Sequence, residues 1–503
     1  MDWIFNHLVT LILFIPTLAA LLMLFLPAAK ITLLRWWAFI ASLIPFLLSL
    51  VVWARFDADG KGFQFVEHTI WYRSLNASYH LGVDGISLTL VVLTTFLTPL
   101  AILASYSIQE RVKAYMILFL LLETGMLGVF LSLDLLLFFV FWEIGLVPMY
   151  FLINQWGGSN RNYASLKFIL YTMGGSLGLL LSIQLMGVVA GTYDLPLLFE
   201  RWANLKEATL LGMPTETVKS IIFWAFVVAF AIKVPVWPFH TWLPDAHTEA
   251  PTAGSMILAG VLLKLGGYGF LRLVLPLFPQ QAHQFAGYLA LLATLAVILG
   301  ALGAWAQKDF KRLVAYSSIN HMGFVVLGIA AAAWAAGTEN AVIAVNGAVL
   351  QMVTHGLSSA GMFFLVGVIY ERTHTRNLEE YGGLFTLVPV YGGILLFVAM
   401  GSLGLPGLAG FVSEFLVIRG VWPVFTLATA LSMIGLFFTG AYILKALRQV
   451  LHGPLNERWV GHLTEINLRE IVVIAPMMAL MLLIGVYPAW ILDVINRAVM
   501  MWF

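Results

Sequence analysis

The sequence predicts an all-α polytopic membrane protein with about 14 transmembrane helices, two inverted five-helix repeats, and breaks in the seventh and twelfth helices. Three observations predict this fold class. Of the 503 residues, 61% are hydrophobic and only 10% are charged, whereas a soluble domain is about half apolar and a quarter charged. Fourteen apolar stretches lie near the roughly 20 residues that cross a bilayer. Proline and glycine interrupt two of these stretches.

The predicted spans follow one another along the whole chain. They cover residues 3–27, 33–55, 85–108, 114–131, 133–155, 162–192, 218–240, 251–275, 284–306, 310–331, 341–370, 385–418, 422–447 and 469–495. No basic segment precedes the first span, so we expect it to remain as a membrane helix and not to act as a cleaved signal peptide. Two longer connections, 56–84 and 193–217, separate the spans. The first alternates β-branched and aromatic residues, which predicts a short hairpin.

Proline interrupts the seventh and twelfth spans. Pro235 and Pro238 follow closely on Lys233, and glycines surround Pro406. Proline lacks a backbone donor and breaks a helix. In a membrane, such irregular backbone persists only against protein or a water-filled cavity. Because the two breaks are five spans apart, spans four to eight and nine to thirteen are predicted to be corresponding units of opposite orientation, as in many transporters.

The repeats divide the chain into four expected regions. These are three N-terminal helices with an outer loop (1–113), a first repeat (114–275), a second repeat (284–447) and a C-terminal helix (448–503).

The placement of Lys and Arg predicts the orientation. Of the 26 such residues, fifteen, including Lys311, fall on one side of the membrane, and nine, including Lys206 and Arg272, fall on the other. The side richer in Lys and Arg is predicted to be cytoplasmic, which puts both termini outside. Lys233 and Lys264 belong to neither side, because they lie within the spans.

Four charged residues lie inside apolar spans, namely Glu143, Lys233, Lys264 and Glu414. A charge at the centre of a membrane helix costs ~2.5–3.5 kcal/mol, so four unpaired charges would cost roughly 10–14 kcal/mol. That approaches the ~5–15 kcal/mol total stability of an ordinary domain. We therefore expect these groups to face the protein interior, to pair, or to line water.

Structural roles remain open for some of these residues and for two histidines within the spans. Lys233 could snorkel from a helix end. Glu143 could be a structural hydrogen-bonding acid, and Glu414 could lie nearer one membrane face. His321 and His355 could be ordinary neutral core histidines. Lys264 has apolar residues on both sides, which favours a functional role.

Other polar residues have plainer expectations. Asp134 is expected to cap a helix, and the role of Glu123 is left open. A further cluster could be interpreted as metal ligands: His240, Asp245, His247 and Glu249. Its spacing matches no metal site, and Pro244 interrupts it. We therefore predict no metal site, and we expect a hydrated loop between the lysine helix and the cytoplasm.

The break beside Lys233 supplies water and free backbone dipoles. We expect Glu143 to approach Lys233 closely enough to pair, directly or through one water. At ~4 Å and an effective dielectric near 20, such a pair is worth ~4 kcal/mol. A cation whose partner can move is a proton switch. Lys264, between the repeats, is expected to connect this pair to His355 and Glu414.

Four stretches together resemble a known family: "FFVFWEIGLVPMYFLI", "AIKVPVWPFHTWLPDAHTEAPTAGSMILAGVLLKLGGYG", "DFKRLVAYSSINHMGF" and "GLPGLAGFVSEF". They look like the antiporter-like, proton-translocating membrane subunits of respiratory complex I (NADH:quinone oxidoreductase), and in particular the M (subunit 4) family. The resemblance covers essentially all fourteen spans. It implies a proton relay made of Glu143, Lys233, Lys264, His321, His355 and Glu414. A glutamate at 414, where L- and N-type chains usually have lysine, favours the M family.

The resemblance implies a proton-translocating membrane-arm subunit, driven by redox chemistry in other subunits. The expected location is the bacterial inner membrane, and the expected partners are L-type and N-type antiporter-like chains. The sequence has no cysteine for iron–sulfur clusters and no dinucleotide fingerprint. We therefore expect no cofactor and no redox centre in this chain, with NADH, FMN, iron–sulfur clusters and quinone bound by partner subunits. The net charge of +1 argues against nucleic acid.

Two other functions are alternatives. Subunits of multi-subunit cation/proton antiporters and of membrane-bound hydrogenases share these motifs, and gene neighbours would separate them from complex I. A purely structural membrane scaffold is disfavoured by the insertion cost of its charges.

Overall fold

A computed structural model describes residues 5–205 and 207–502. Most of the described chain is α-helical. The helices are α1 Leu8–Met23, α2 Ile31–Arg55, α3 Gly85–Ala104, α4 Val112–Leu131, α5 Leu135–Trp156, α6 Arg161–Ala190, α7 Leu195–Arg201, α8 Thr215–Lys233, α9 Trp242–Glu249, α10 Thr252–Leu277, α11 Pro279–Ala306, α12 Phe310–Trp334, α13 Glu339–Thr373, α14 Pro389–Leu403, α15 Ala409–Val421, α16 Thr426–Leu451, α17 Leu468–Val486 and α18 Ala489–Trp502. The first two residues of the predicted first span and Lys206 lie outside the described residues.

Within the described residues, 12 helices are long and apolar enough to cross a membrane. The two shorter apolar helices, α1 and α14, lie in the first and twelfth predicted spans. These helices confirm the prediction of a polytopic all-α membrane protein.

The connection between α2 and α3 forms the predicted hairpin. Strand β1 (Gln64–Tyr72) pairs antiparallel with β2 (Ala77–Val83). Asn76 closes the turn at φ 52°, a left-handed conformation that asparagine tolerates. A second, two-residue ladder joins β3 (Thr209–Leu210) to β4 (Met213–Pro214) in the connection before α8.

Side-chain caps fix where several helices begin. Asp84 caps α3 in a reciprocal capping box with Ser87. Asp134 caps α5 as predicted, since its Oδ1 accepts from the amides of Leu136 and Leu137 at 3.0 Å each. Such caps satisfy amides that have no partner within the helix.

The two breaks lie where the prolines and glycines predict them. Helix α8 ends at Lys233, and α9 begins at Trp242. The indole Nε1 of Trp242 donates to the Ile232 carbonyl at 2.9 Å, which satisfies a carbonyl near the helix end. Helices α14 and α15 are separated by Gly404 and Gly407, both with positive φ (84° and 93°), where glycine avoids the strain of a side chain.

The expectation of a hydrated loop over residues 240–249 is wrong. These residues mostly form α9, and His247 in it is fully buried. Pro244 does not prevent the helix because it occupies the first turn, where a missing N–H leaves no broken bond. The residues that follow the break therefore return to the protein interior.

Helices α10, α12 and α13 form the centre of the molecule. The most apolar stretches of α10 and α13 are entirely buried, and that of α12 is 94% buried. Helix α10 contains two π-helical stretches, Leu258–Leu262 and Phe270–Val274. It packs closely on the end of α8, since a Cβ on Gly266 would lie 2.8 Å from the Phe230 carbonyl. Lys264 lies on this buried helix.

Two basic residues that the orientation prediction assigns to the membrane surfaces are buried in the structure. Arg272, in the second π-helical stretch of α10, forms an ion pair with Asp84 at the start of α3. Lys311 lies in the first turn of α12 and donates to the Ala250 carbonyl. Both belong to the protein interior, where Asp84 and the Ala250 carbonyl provide partners for their charged groups.

Candidate functional site

Lys264 and His355 form the first contact of the site. Lys264 is completely buried on α10, and its Nζ lies 2.8 Å from Nδ1 of His355 on α13. The ammonium also donates to the Ala259 carbonyl in the π-helical stretch just before it. Such π-helical turns are often found at functional sites. Irregular backbone and a histidine thus take the place of an acidic partner for this lysine.

His321 and Glu414 form the second contact. Nδ1 of His321 on α12 lies 2.7 Å from Oε1 of Glu414 on α15. The Gln351 side chain donates to the same carboxylate oxygen at 3.2 Å. On the far side of the ring, Nε2 of His321 lies 3.4 Å from the hydroxyls of Ser402 and Tyr442. Each of the two titratable groups therefore has several polar neighbours within a buried setting.

The two contacts adjoin one another through the histidines. The rings of His321 and His355 have centroids 5.6 Å apart. Nε2 of His355 has no hydrogen-bond partner among the described residues. The order Lys264, His355, His321, Glu414 is therefore a continuous row of buried groups that runs from α10 through α13 and α12 to α15.

Glu143 and Lys233 lie close together but do not pair directly. Lys233 Nζ lies 4.9 Å from the centroid of the Trp142 ring, within cation–π range. Glu143 is near enough to act on Lys233 electrostatically, yet no N–O distance within 4.0 Å joins them in the described chain. One Glu143 oxygen, Oε1, is buried and has no hydrogen-bond partner among the described residues. Of the two expected arrangements, a direct pair or a pair through one water, the direct pair does not form in the described chain, and Lys233 lies against the ring of Trp142, the neighbour of Glu143.

Lys233 and Lys264 lie on helices that pack together, α8 and α10. No hydrogen bond joins the two lysines in the described part of the chain. The six predicted residues therefore form two groups, a row of four and a separate pair.

The metal-ligand interpretation of residues 240–249 receives no geometric support. Asp245 forms ion pairs with Lys167 at 2.7 Å and with Arg312 at 3.2 Å. Its carboxylate thereby joins α9 to α6 and α12. Glu249 points elsewhere, since its Oε2 accepts from the Asn160 amide at 2.9 Å.

Residues 132–439 match the family model described as NADH:quinone oxidoreductase/Mrp antiporter, transmembrane. The chain belongs to this family. The matched range contains all six predicted relay residues, and the match confirms the resemblance drawn from the sequence.

Relatives in this family match over nearly their whole length. The chain is 44% identical to NADH-quinone oxidoreductase subunit M of Rhodobacter capsulatus, covering 98% of this chain and 96% of that one. It is 39% identical to NADH-ubiquinone oxidoreductase chain 4 of Arabidopsis thaliana, covering 96% and 94%. The resemblance to the M (subunit 4) family is thereby confirmed.

Solved structures of the family share the fold. A chain of respiratory complex I from Thermus thermophilus with bound NADH superposes with a TM-score of 0.86 at 28% identity, covering 98% of this chain and 100% of that one. A chain of the Mrp complex from Dietzia sp. superposes with a TM-score of 0.82 at 24% identity, covering 98% and 52%. The second likeness concerns the fold alone.

The structure adds residues to the site that the sequence interpretation assigned elsewhere. His247 stacks on Phe363 with centroids 4.3 Å apart, and neither ring nitrogen has a partner among the described residues. It lies within electrostatic reach of both Lys264 and Lys311. The sequence contains an indication that His247 is buried. Pro244 is compatible with the first turn of a helix, and such a helix would carry His247 into the protein interior.

A polar cavity reaches the same region from the surface of the chain. It has a volume of about 200 Å³, and its lining includes Glu249, Lys311 and Arg376. Lys311 lines this cavity, and His247 interacts electrostatically with both Lys311 and Lys264. In this chain, the buried polar row thus has an approach that is lined by charged residues.

Proposed function

We propose that this chain is a proton-translocating subunit in the membrane arm of a bacterial NADH:quinone oxidoreductase. The observation that carries the proposal is the buried row Lys264–His355–His321–Glu414. Four neighbouring titratable groups at the centre of an apolar protein are costly to bury, which favours a role in carrying charge or protons. Full-length similarity to subunit M and chain 4 proteins supports the same assignment.

The row is suited to proton transfer because its members are joined by hydrogen bonds or lie one short step apart. A positioned group transfers a proton at ~2.6–3.2 Å, or through one water. Lys264 can deliver a proton to Nδ1 of His355 at 2.8 Å. His355 can pass one to His321, and His321 to Glu414 at 2.7 Å. A single water between the two rings would complete the path.

Glu143 and Lys233 are proposed to form a switch beside this row. In the present arrangement Lys233 lies on the Trp142 ring, and no residue that the structure describes forms a hydrogen bond with Oε1 of Glu143. Rotation of the long lysine side chain would create a direct ion pair. At ~4 Å and an effective dielectric near 20, that pair would be worth ~4 kcal/mol. Making and breaking it would change the charge that Lys264 experiences.

Proton uptake is proposed to begin at the cavity that Glu249 and Lys311 line. From there Lys311 and His247 offer a route to Lys264. His247 supports this role because its two ring nitrogens have no hydrogen-bond partner within residues 5–205 and 207–502, so that water or a moving side chain can bind to them. This mouth lies on the side that the Lys and Arg distribution predicts to be cytoplasmic.

The proposed architecture has 14 spans with α4–α10 and α11–α16 as two inverted repeats (114–275 and 284–447), flanked by 1–113 and 448–503. Breaks after α8 and α14 support it, since they occupy the same place in each unit. Both termini would lie outside. NADH, FMN, iron–sulfur clusters and quinone would bind to partner subunits, with L-type and N-type chains beside this one.

Proton uptake into proteoliposomes tests the function. The assembled complex would carry Lys264→Ala, with Lys308→Ala as the control, since Lys308 is exposed and pairs with Glu379 at the surface. NADH oxidation and proton uptake would be measured together. We expect uptake to be lost in Lys264→Ala and retained in Lys308→Ala. Uptake that follows a sodium or other cation gradient without NADH oxidation would instead support the multi-subunit antiporter.

A further inference from the structure

Three metal-binding side chains meet on the hairpin, away from the buried row. The nearest ligand atoms of His68, His80 and Asp194 all lie within 4.8 Å of one another. Nδ1 of His80 is 2.7 Å from Oδ2 of Asp194, and Nε2 of His68 is 3.9 Å from the same oxygen. It is the only group of this kind that the described residues contain.

The hairpin register brings the two histidines together. His68 on β1 and His80 on β2 are cross-strand partners, and directly opposed residues project from the same face of a sheet. Their ring centroids are 4.6 Å apart at an interplanar angle of 67°. His80 is buried, whereas half of the His68 side chain is exposed. One ligand is thus fixed, and the other is free to adjust.

The hairpin is held against the loop that carries Asp194. The Asn76 side chain donates to the Gly191 carbonyl at 3.1 Å. The Ser78 amide donates to Oδ2 of Asp134, the residue that caps α5, at 2.8 Å. The position of His80 relative to Asp194 is therefore set by bonds that do not involve either side chain.

The two carboxylate oxygens of Asp194 have different partners, and only Oδ2 lies beside the histidines. Its Oδ1 accepts from the Leu197 amide at 3.1 Å and so begins helix α7. That bond orients the carboxylate, as bonds around metal ligands commonly do. The Leu133 amide also donates to the His80 backbone carbonyl at 2.8 Å, which holds the middle of β2 against the segment before α5.

We propose that His68, His80 and Asp194 bind one divalent transition-metal ion of the zinc class. Two imidazoles and one carboxylate are a common zinc ligand set, and water can fill the remaining position. Magnesium and calcium prefer all-oxygen sites, so the two imidazoles select against them. Zinc–ligand distances are ~2.0–2.2 Å, so binding requires the exposed His68 side chain to move inward. The bound ion would tie β1 to the loop before α7.

Zinc binding by the intact complex tests the proposal. The purified complex would be treated with a chelator and titrated with Zn²⁺ alone against a competing indicator. The matched variants are His68→Ala and His462→Ala, because both histidines are exposed. We expect the wild-type complex and His462→Ala to bind one Zn²⁺ more per complex than His68→Ala, with NADH oxidation unchanged in all three. Equal zinc content in wild type and His68→Ala would overturn the proposal and leave only a hydrogen-bonded His80–Asp194 pair.

A His68→Cys variant provides a spectroscopic test that does not depend on loss of binding. This chain has no cysteine of its own, and a thiolate is a good ligand for zinc and cobalt. Added Co²⁺ should produce a thiolate-to-metal charge-transfer band in His68→Cys but not in a His462→Cys control. Absence of the band from an assembled His68→Cys complex would count against a metal ion at this position. This test remains available if the His68→Ala complex fails to assemble.

Discussion

The imidazole of His321 and the carboxylate of Glu414 form a buried pair, with Nδ1 2.7 Å from Oε1. The two groups come from α12 and α15, and α15 begins only after the break that follows α14. Deleting one partner of a buried pair typically costs ~3–5 kcal/mol, because the other is left uncompensated. Substitutions that keep the size of the side chain therefore separate proton transfer from folding.

Glu414→Gln should lower NADH-driven proton uptake by at least about tenfold, since a positioned proton-transfer group contributes about 10²–10⁴ in rate. The amide keeps the shape of the side chain but cannot accept and release a proton. Uptake in proteoliposomes and assembly on native gels would be measured. Glu379→Gln, at an exposed glutamate, is the control. Full uptake by an assembled Glu414→Gln complex would remove Glu414 from the relay.

Glu143→Gln should depress both proton uptake and coupled NADH oxidation while leaving assembly intact. The substitution removes the charge that would draw Lys233 from the Trp142 ring. Because Glu143 is only partly buried and its Oε1 has no partner in the described part of the chain, an amide fits there without losing a bond. Glu457→Gln, at an exposed position, serves as the comparison. Normal coupling in Glu143→Gln would rule out the proposed switch.

Lys264→Arg should keep more proton uptake than Lys264→Ala but less than the wild-type complex. Arginine retains a cation near His355, yet its high pKa prevents exchange of the proton. Initial rates of uptake in the two variants would be compared at equal complex content. An arginine variant as active as the wild type would mean that Lys264 acts as a fixed charge and does not carry protons.

His247→Gln should slow proton uptake if protons reach Lys264 from the cavity beside Lys311. Glutamine can hydrogen-bond but cannot carry a proton at this buried position. His452→Gln offers a comparison, since that histidine is exposed and stacks on Phe385. Equal uptake rates in the two variants would place the route elsewhere.

Asp134→Ala should destabilise the complex more than Ser78→Ala. The aspartate caps α5 and also accepts from the Ser78 amide and hydroxyl, at 2.8 and 3.1 Å. Loss of a cap costs ~0.5–2 kcal/mol. Ser78→Ala removes only the hydroxyl bond. The surviving fraction of detergent-solubilised complex after heating measures the difference, and a reversed order would contradict this account of the hairpin junction.

Much of the fold follows from local sequence. Proline and glycine place the breaks after Lys233 and around Pro406, and the insertion cost of Lys264 indicates a buried functional group. The hairpin follows from alternation in the connection before α3. Each of these features depends on residues close together in the chain, so a single sequence suffices to predict it.

The contacts within the site depend on packing between distant segments. The contact between Glu414 and His321 depends on how separate helices pack. So does the position of Trp142 against Lys233, for which a pair with Glu143, direct or through one water, was expected. The cluster of His68 and Asp194 joins two connections with no spacing pattern. His247 was assigned to a hydrated loop because Pro244 was taken as a break and not as a first-turn residue.

The bond between Trp242 and the Ile232 carbonyl bears on how the interrupted helix works. It joins the segment after the break to the segment before it, at 2.9 Å, with the indole fully enclosed by protein. This hydrogen bond holds the two segments at a fixed angle, so the interruption does not act as a hinge. The two half-helices would keep their relative direction through a catalytic cycle, so side-chain rotation and changes in hydration would have to do the gating.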